Sequence, residues 1–336
     1  MNESTTSQVS AAFGQQSLDI DVVQETERLV EELRRSVHET LHRQGAVIGI
    51  SGGIDSSLVL ALCAKAFGPE HVLGVLLPER ESSPESAELA HLLADQYGVP
   101  TITEDISGSL EGAGCYRRRN EAIQRIFPNF SVGWKAKIVL AGNLLEQATL
   151  NVFRLSVTDP QGQEFSKRLP LPEFAQIVAA SNFKQRMRMS MLYYHAELHN
   201  YAVIGTANKN EHALGFFVKY GDGGVDLQLI AHLYKTQVYQ LAKYLNVPEE
   251  IQRRTPTTDT YPGGSTQEEF FYRVPFDILD AVWLGHERGL PPDEIAQALD
   301  LSAEQVQRIV ADIASKQRAT SYLRLSPLNI HGQPIS

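Results

Sequence analysis

Seven residues, Ser51-Gly-Gly-Ile-Asp-Ser-Ser57, bring together groups suited to handling a phosphate. Gly52 and Gly53 let the main chain turn tightly and present its N–H groups to an anion. The helix expected to follow adds its positive N-terminal dipole. Ser51, Ser56 and Ser57 offer hydroxyl donors, and Asp55 a carboxylate suited to Mg2+. No lysine stands where a Walker A loop needs one, and no GxGxxG run is present, which weighs against a dinucleotide-binding dehydrogenase. The structural alternative is a glycine-rich turn with a serine helix cap.

Further along, Asn182 and Arg186 lie four apart, so a helix would set them on one face, with Lys184 and Arg188 on another. Such donors suit a carboxylate or phosphate, which an arginine can clamp through two hydrogen bonds. A solvated surface is the alternative. Thr206, at the end of a candidate strand, is placed to bond a ribose or base, and Glu211 can supply a metal carboxylate. Lys219 and Asp222 flank a glycine-rich turn and can hold polar substrate groups. Lys235 opens a candidate helix, where its charge can neutralise charge developing on nucleotide phosphates.

Elements must position these groups. Apolar residues from Val22 to Leu41 recur with a helical period, and Ala46–Ile50 reads as a buried strand. A helix over Leu58–Phe67, a strand over His71–Leu77, a helix over about 83–97 and a strand over Val99–Thr103 follow. This alternation predicts an α/β fold, an open and mostly parallel sheet with helices on both faces. Ligands of such sheets gather beyond the carboxyl ends of the strands, where the Ser51 loop falls. Residues 104–170 read as an insertion within a single domain over 18–336. A helical piece at 120–126 precedes 148–155 and 164–169, which flank an Asp-Pro-Gln-Gly turn as in a hairpin. A helix over Phe183–His199, a strand over Tyr201–Gly205 and a helix over 235–244 resume the pattern. A Pro/Thr/Gly-rich loop spans 255–266, and 276–286, 292–299 and 302–315 form a helical tail. Residues 1–17, polar and Ser/Gln-rich, read as a flexible arm.

Composition narrows the classes. With 30 basic and 40 acidic side chains the net charge is -10, which argues against a nucleic-acid partner because that binding uses clustered positive charge. Cys63 and Cys115 match neither a zinc spacing nor a disulfide framework. The first residues lack the basic start and apolar run of a signal peptide, and no apolar stretch approaches the roughly 18 to 20 residues of a membrane span. A cytoplasmic protein with no membrane partner is expected.

The Ser51–Ser57 loop after a buried strand resembles the pyrophosphate loop of the ATP pyrophosphatase (PP-loop) superfamily. Its members cleave ATP between the α and β phosphates and adenylate a substrate. Asn182-Phe-Lys-Gln-Arg-Met-Arg-Met189 is similar to the NAD synthetase motif Asn-x-Lys-x-Arg-x-Arg-Met. Gly205-Thr-Ala-Asn-Lys-Asn-Glu211, with Gly215–Gly224, resembles that family's GTxNxxE…G[YF]xTKYGDGG signature. Pro256-Thr-Thr-Asp259 and Thr266-Gln-Glu-Glu269 resemble its Pro-Thr-Ala-Asp loop and Thr-Asp-Glu-Glu run. The resemblance covers roughly residues 21–100 and 181–285.

The resemblance implies an ammonia-dependent member without a glutaminase domain. Asn182 and Arg186 would contact the deamido dinucleotide, and Lys235 and Thr257 the triphosphate. Asp55 and Glu211 would coordinate Mg2+, and Ser51–Ser57 would hold the departing pyrophosphate. Asp222 would bind or deprotonate the incoming ammonium. Arg188 and Met189 read as helix packing and surface, Glu268 and Glu269 as structural or lid residues. The implied partners are ATP, nicotinic acid adenine dinucleotide and ammonia, free or handed over by a partner protein. Compact relatives imply a homodimer with sites at the subunit junction. The family uses Thr where Val218 stands, commonly Pro for Leu229, and Leu-Gly for Phe270-Phe271. These departures bear on the acid rather than on ATP. An amide ligase for another carboxylate is therefore the alternative. A PP-loop tRNA-modifying enzyme, which would be expected to show a basic surface or a zinc module, is a remoter one.

Overall fold

The computed structural model describes residues 13–140, 142–146, 153–256, 266–331 and 333. Thr257, expected to meet phosphate, lies outside the described residues. Helix α1 (Val22–Arg34) is capped by the Asp21 carboxylate, which accepts from the N–H groups of Val23 and Gln24. Then β1 (Ala46–Gly49), α2 (Ile54–Phe67), β2 (Val72–Leu76), α3 (Pro84–Tyr97) and β3 (Thr101–Thr103) alternate. Helices α4 (Ser107–Gly112) and α5 (Cys115–Ile126) lead to three antiparallel strands, β4 (Lys135–Leu140), β5 (Phe153–Thr158) and β6 (Glu164–Arg168). The long α6 (Leu171–His199) returns to β7 (Ala202–Gly205), α7 (Lys209–Leu214), β8 (Leu227–Gln228), α8 (Lys235–Tyr244) and α9 (Glu249–Arg253). Helices α10 (Phe276–Glu287), α11 (Pro292–Leu299) and α12 (Ala303–Ala319) follow.

The main sheet runs β3-β2-β1-β7-β8, every pairing parallel. Its order reverses between β1 and β7, the point where open α/β sheets form a ligand crevice. Side-chain alternation sends Ala46 and Ile48 into a core shared with α1, α2, α3 and α8. Val47 goes the other way, meeting Leu110, Tyr116, Met189 and Leu192 of α4, α5 and α6. The insertion has a core of its own, with Ile138 and Val157 from its sheet against Ile123 and Ile177. The C-terminal helices bury Trp283, Val306 and Ile309 in another.

At about 1.5 Å per residue, the 29 residues of α6 extend about 43 Å. Ile177 belongs to the insertion's core and Met189, Leu192 and Ala196 to the main sheet's, so one rigid element joins both. It starts at Leu171 rather than near Phe183 because Pro170 and Pro172 pre-set the entering backbone and Glu173 favours the first turn. Helix α2 likewise begins at Ile54, not Leu58, which puts Asp55, Ser56 and Ser57 on its first turn. Residues 13–18 do not hang loose: Gln15–Leu18 forms a 3-10 turn, and Phe13 and Leu18 pack into the core of the C-terminal helices.

Candidate active site

The loop after β1 is shaped from within. Gly52 has φ +69°, and a Cβ there would lie 2.6 Å from the Ser86 carbonyl oxygen, so only glycine fits. The Ser51 hydroxyl accepts from Gly53 N–H at 3.3 Å and sits 3.2 Å from Ser56 Oγ, which itself donates to Gly53 O at 3.0 Å. Ser57 donates to the same carbonyl at 2.8 Å and is fully buried. Ser51, Gly53, Asp55 and Ser56 face a cavity of about 990 Å3, while the Ser57 side chain is turned away from it into the loop.

Asp55, on the first turn of α2, accepts from Lys235 Nζ at 2.5 Å and from Asn208 Nδ2 at 2.8 Å. Lys235 is fully buried at the start of α8, and its N–H donates to Asn210 Oδ1 at 3.1 Å. Asn210 in turn bonds the buried Asp280, which also accepts from Thr236 N–H. Burial alone would lower the Lys235 pKa, but the carboxylates of Asp55 and Glu211 outweigh it and hold it above the ordinary value. Asn208 caps α7 through a reciprocal pair with Glu211, which also accepts from Gln267 Nε2 at 3.2 Å. Desolvation and the charge of Asp55 push the Glu211 carboxyl up to about 8. Among the described residues no group of three or more His, Cys, Asp or Glu gathers for a metal. Two carboxylates alone suit Mg2+, which keeps waters and takes phosphate oxygens for its remaining positions.

Across the cavity stand Thr206 at the end of β7, Asn182, Arg186 and Arg188 on α6, and Lys219 and Asp222. Asn182 and Arg186 thus share one wall, as their spacing predicts. Lys184 instead points away and is buried, 2.8 Å from Glu79 and 2.7 Å from Glu81. Arg188, read as packing and surface, reaches the cavity and donates to Leu77 O at 3.2 Å. Lys219 does not project alone: its ammonium donates to the carbonyls of Tyr322 at 3.1 Å and Leu325 at 2.8 Å. Asp222 accepts from Val218 N–H at 2.8 Å, and desolvation pushes its carboxyl up to about 6. Because Val218 acts through its main chain, valine in place of threonine leaves this bond intact. Glu268 accepts from the N–H of Phe276 at 3.1 Å and so helps to start α10.

Sequence reasoning missed Arg254, whose guanidinium lines the cavity and donates to Gly52 O at 3.3 Å and Ser86 Oγ at 2.8 Å. No periodicity marks it. It also missed Asn208, which the pattern of a cap residue three before a glutamate would have revealed.

A parallel sheet with a glycine-serine loop at its switch point, an Asp–Lys pair joining the helix after that loop to α8, and a second carboxylate nearby define an ATP pyrophosphatase of the PP-loop class. The family described as NAD synthase matches residues 25–113 and 119–321. The chain belongs to that family. It is 47% identical over 311 residues to the NH(3)-dependent NAD(+) synthetase of Mesorhizobium japonicum, spanning 93% of this chain and 97% of the relative. The enzyme of the same description from Thermotoga neapolitana is 34% identical over 284 residues, 84% and 90% of the two chains. The fold is shared with the NMN synthetase of Francisella tularensis (TM-score 0.62, 23% identity, 93% and 99% of the chains). It is shared too with the NH3-dependent NAD synthetase of Campylobacter jejuni, solved with nitrate (TM-score 0.58, 24% identity, 93% and 100%). The chain is thus an enzyme of the ammonia-dependent type, a ligase that activates a carboxylate with ATP as an acyl-adenylate and converts it to an amide.

Proposed function

We propose that the acid is nicotinic acid adenine dinucleotide and the product NAD. The observation that carries this reading is a single cavity that joins the Ser51 loop to Asn182 and Arg186. ATP lies along the loop, with its adenosine toward Thr206 and its phosphates at the first turn of α2. Asp55 and Glu211 hold Mg2+, which when bound neutralises charge on the phosphates. Lys235 and Arg254 add positive charge beside them, with Thr257 as a further phosphate contact. Asn182, Arg186 and Lys219 orient the dinucleotide so that its carboxylate oxygen attacks the α-phosphorus and pyrophosphate departs. Ammonia then attacks the acyl carbon, AMP leaves with the bonding pair, the nitrogen gives up one proton to solvent, and the amide remains. Asp222, with its raised carboxyl, binds the incoming ammonium and takes its proton. Most of the rate comes from placement and preset charge.

The reading includes a homodimer in the cytoplasm. The exposed Tyr220, Tyr322, Leu325 and Leu328 near the Lys219 contacts support an assembly surface, and the free, buried Cys63 and Cys115 suit a reducing compartment. Purified protein given ATP, Mg2+, ammonium and the dinucleotide is expected to form NAD and AMP one for one, measured by chromatography. AMP and amide formed only from a different acid would reassign the substrate.

A further inference from the structure

We infer that Gln267 is a further residue of the cation site, fixing Glu211 through its amide N–H and accepting, through its carbonyl oxygen, from a water in the hydration shell of Mg2+. The inference rests on the placing of Mg2+ at Asp55 and Glu211 above and extends it to a residue that reading does not use.

Each of the two carboxylates is held by one carboxamide. Asn208 Nδ2 donates to Asp55 at 2.8 Å, and Gln267 Nε2 donates to Glu211 at 3.2 Å. The two amides differ at their oxygens. Asn208 Oδ1 accepts from Glu211 N–H at 3.0 Å, so both ends of that amide are used within the protein. Gln267 Oε1 is buried and meets no donor among the described residues. Turning the amide over does not help, because it sets the oxygen against the Glu211 carboxylate. A buried carbonyl oxygen without a donor is costly to keep, and such an atom in a site points to a water or a ligand.

The surroundings fix where this oxygen can act. Gln267 N–H donates to Pro256 O at 3.0 Å, so its backbone is pinned at the edge of the cavity. Its side chain, only 9% exposed, lines that cavity together with Asp55, Glu211 and Lys235. Tyr272, at the end of the turn Glu268–Tyr272, also carries a buried hydroxyl without a partner, and Glu211, Asp55 and Asp280 are the charges that bear on it. One short segment thus brings two unpartnered polar atoms to the side of the two carboxylates.

The chemistry of the ion matches that remainder. Mg2+ bound by one or two carboxylates and phosphate oxygens keeps several waters. The ion makes those waters strong donors, and the outer groups that accept from them orient the whole shell. An amide oxygen accepts without adding a third negative charge to a site that also has to take a triphosphate.

Mn2+ serves as the probe in place of Mg2+, and its affinity for the protein with α,β-methylene-ATP is read by electron paramagnetic resonance, free of turnover. Gln267→Leu, with similar bulk and neither donor nor acceptor, is expected to weaken Mn2+ binding about 10- to 100-fold. The affinity for the nucleotide without metal should not change. Gln267→Glu keeps an acceptor oxygen and loses the N–H, and should hold the wild-type Mn2+ affinity or exceed it. A loss in Gln267→Glu as large as in Gln267→Leu would reduce the residue to a brace for Glu211 and overturn the inference. Unchanged Mn2+ binding in Gln267→Leu, beside a clear loss in Glu211→Gln, would overturn it as well while upholding the ion's place. Unchanged binding in Glu211→Gln would overturn the placing of Mg2+ itself, and the role of Gln267 with it.

Discussion

A fully buried lysine has to find its countercharge inside the protein. Lys235 finds it in Asp55, which Asn208 steadies from the other side, so the pair is fixed by protein groups alone. Arg254 is held more lightly, by a carbonyl and a hydroxyl, both neutral acceptors that a phosphate oxygen outcompetes. Arg254→Ala is expected to raise the KM for ATP by about one order of magnitude, with Arg254→Lys recovering part of the loss. Steady-state kinetics with ATP varied checks this, and an unchanged KM would leave the guanidinium as a clasp on the loop. At this scale the gathering of Asp55, Glu211 and Lys235 around one cavity was legible in the sequence because each stands at a helix start within a dense motif. The sequence hid the role of Lys184, which was grouped with Arg188 as a donor. Its partners, Glu79 and Glu81, are brought to it by the fold from a hundred residues away, and no local pattern announces them.

Among elements, the turn from β1 into α2 carries the tightest constraint. Gly52→Ala would force a side chain into φ +69° and against the Ser86 carbonyl, a strain of about 1–2 kcal/mol from the backbone alone before the collision is counted. Urea unfolding should show that loss together with a weaker affinity for ATP. Gly108→Ala, on α4 with nothing within 4 Å of the added Cβ, should by contrast be neutral or slightly stabilising. The central sheet was readable from its short apolar runs between turns, because a doubly covered parallel strand needs little else. Helix α5 was read too short, starting near Asn120. Its Arg117-Arg118-Arg119 run looks like a solvated stretch, yet Arg119 is buried against Glu81. The first turns of α6 were hidden by two prolines that resemble loop punctuation but serve as a helix start.

Taken whole, the molecule depends on charge as well as on apolar burial. Burial would raise the Glu81 pKa, but Arg119 and Lys184 outweigh it and hold the carboxyl down at about 2, against an ordinary value of 4.5. A depressed carboxyl contributes stability that is complete above the ordinary value and is lost as pH falls toward the folded one. Glu81 should therefore supply about 3 kcal/mol near neutrality that drains away between about pH 4.5 and 2. Denaturant midpoints measured across that window should fall steeply in the wild type and less in Glu81→Gln. Asp222 and Asp280, both raised to about 6, carry the opposite sign: their contribution is full below the ordinary 3.8 and lost as pH rises through 6.

The same cluster decides whether the insertion can be a detachable accessory. Glu79 and Glu81 come from the stretch after β2, Lys184 from α6 and Arg119 from α5, while the Tyr116 hydroxyl donates to Glu79 at 2.6 Å. Two negative charges are balanced by two positive ones, and one of the positive ones lies within 104–170. A chain trimmed of that stretch would keep both carboxylates and only one cation in a dry interior, a surplus that proteins rarely tolerate. Helix α5 and the stretch after β2 are thus tied together by charge. A chain without α5 would need a neutral residue at position 79 or 81 to restore the balance.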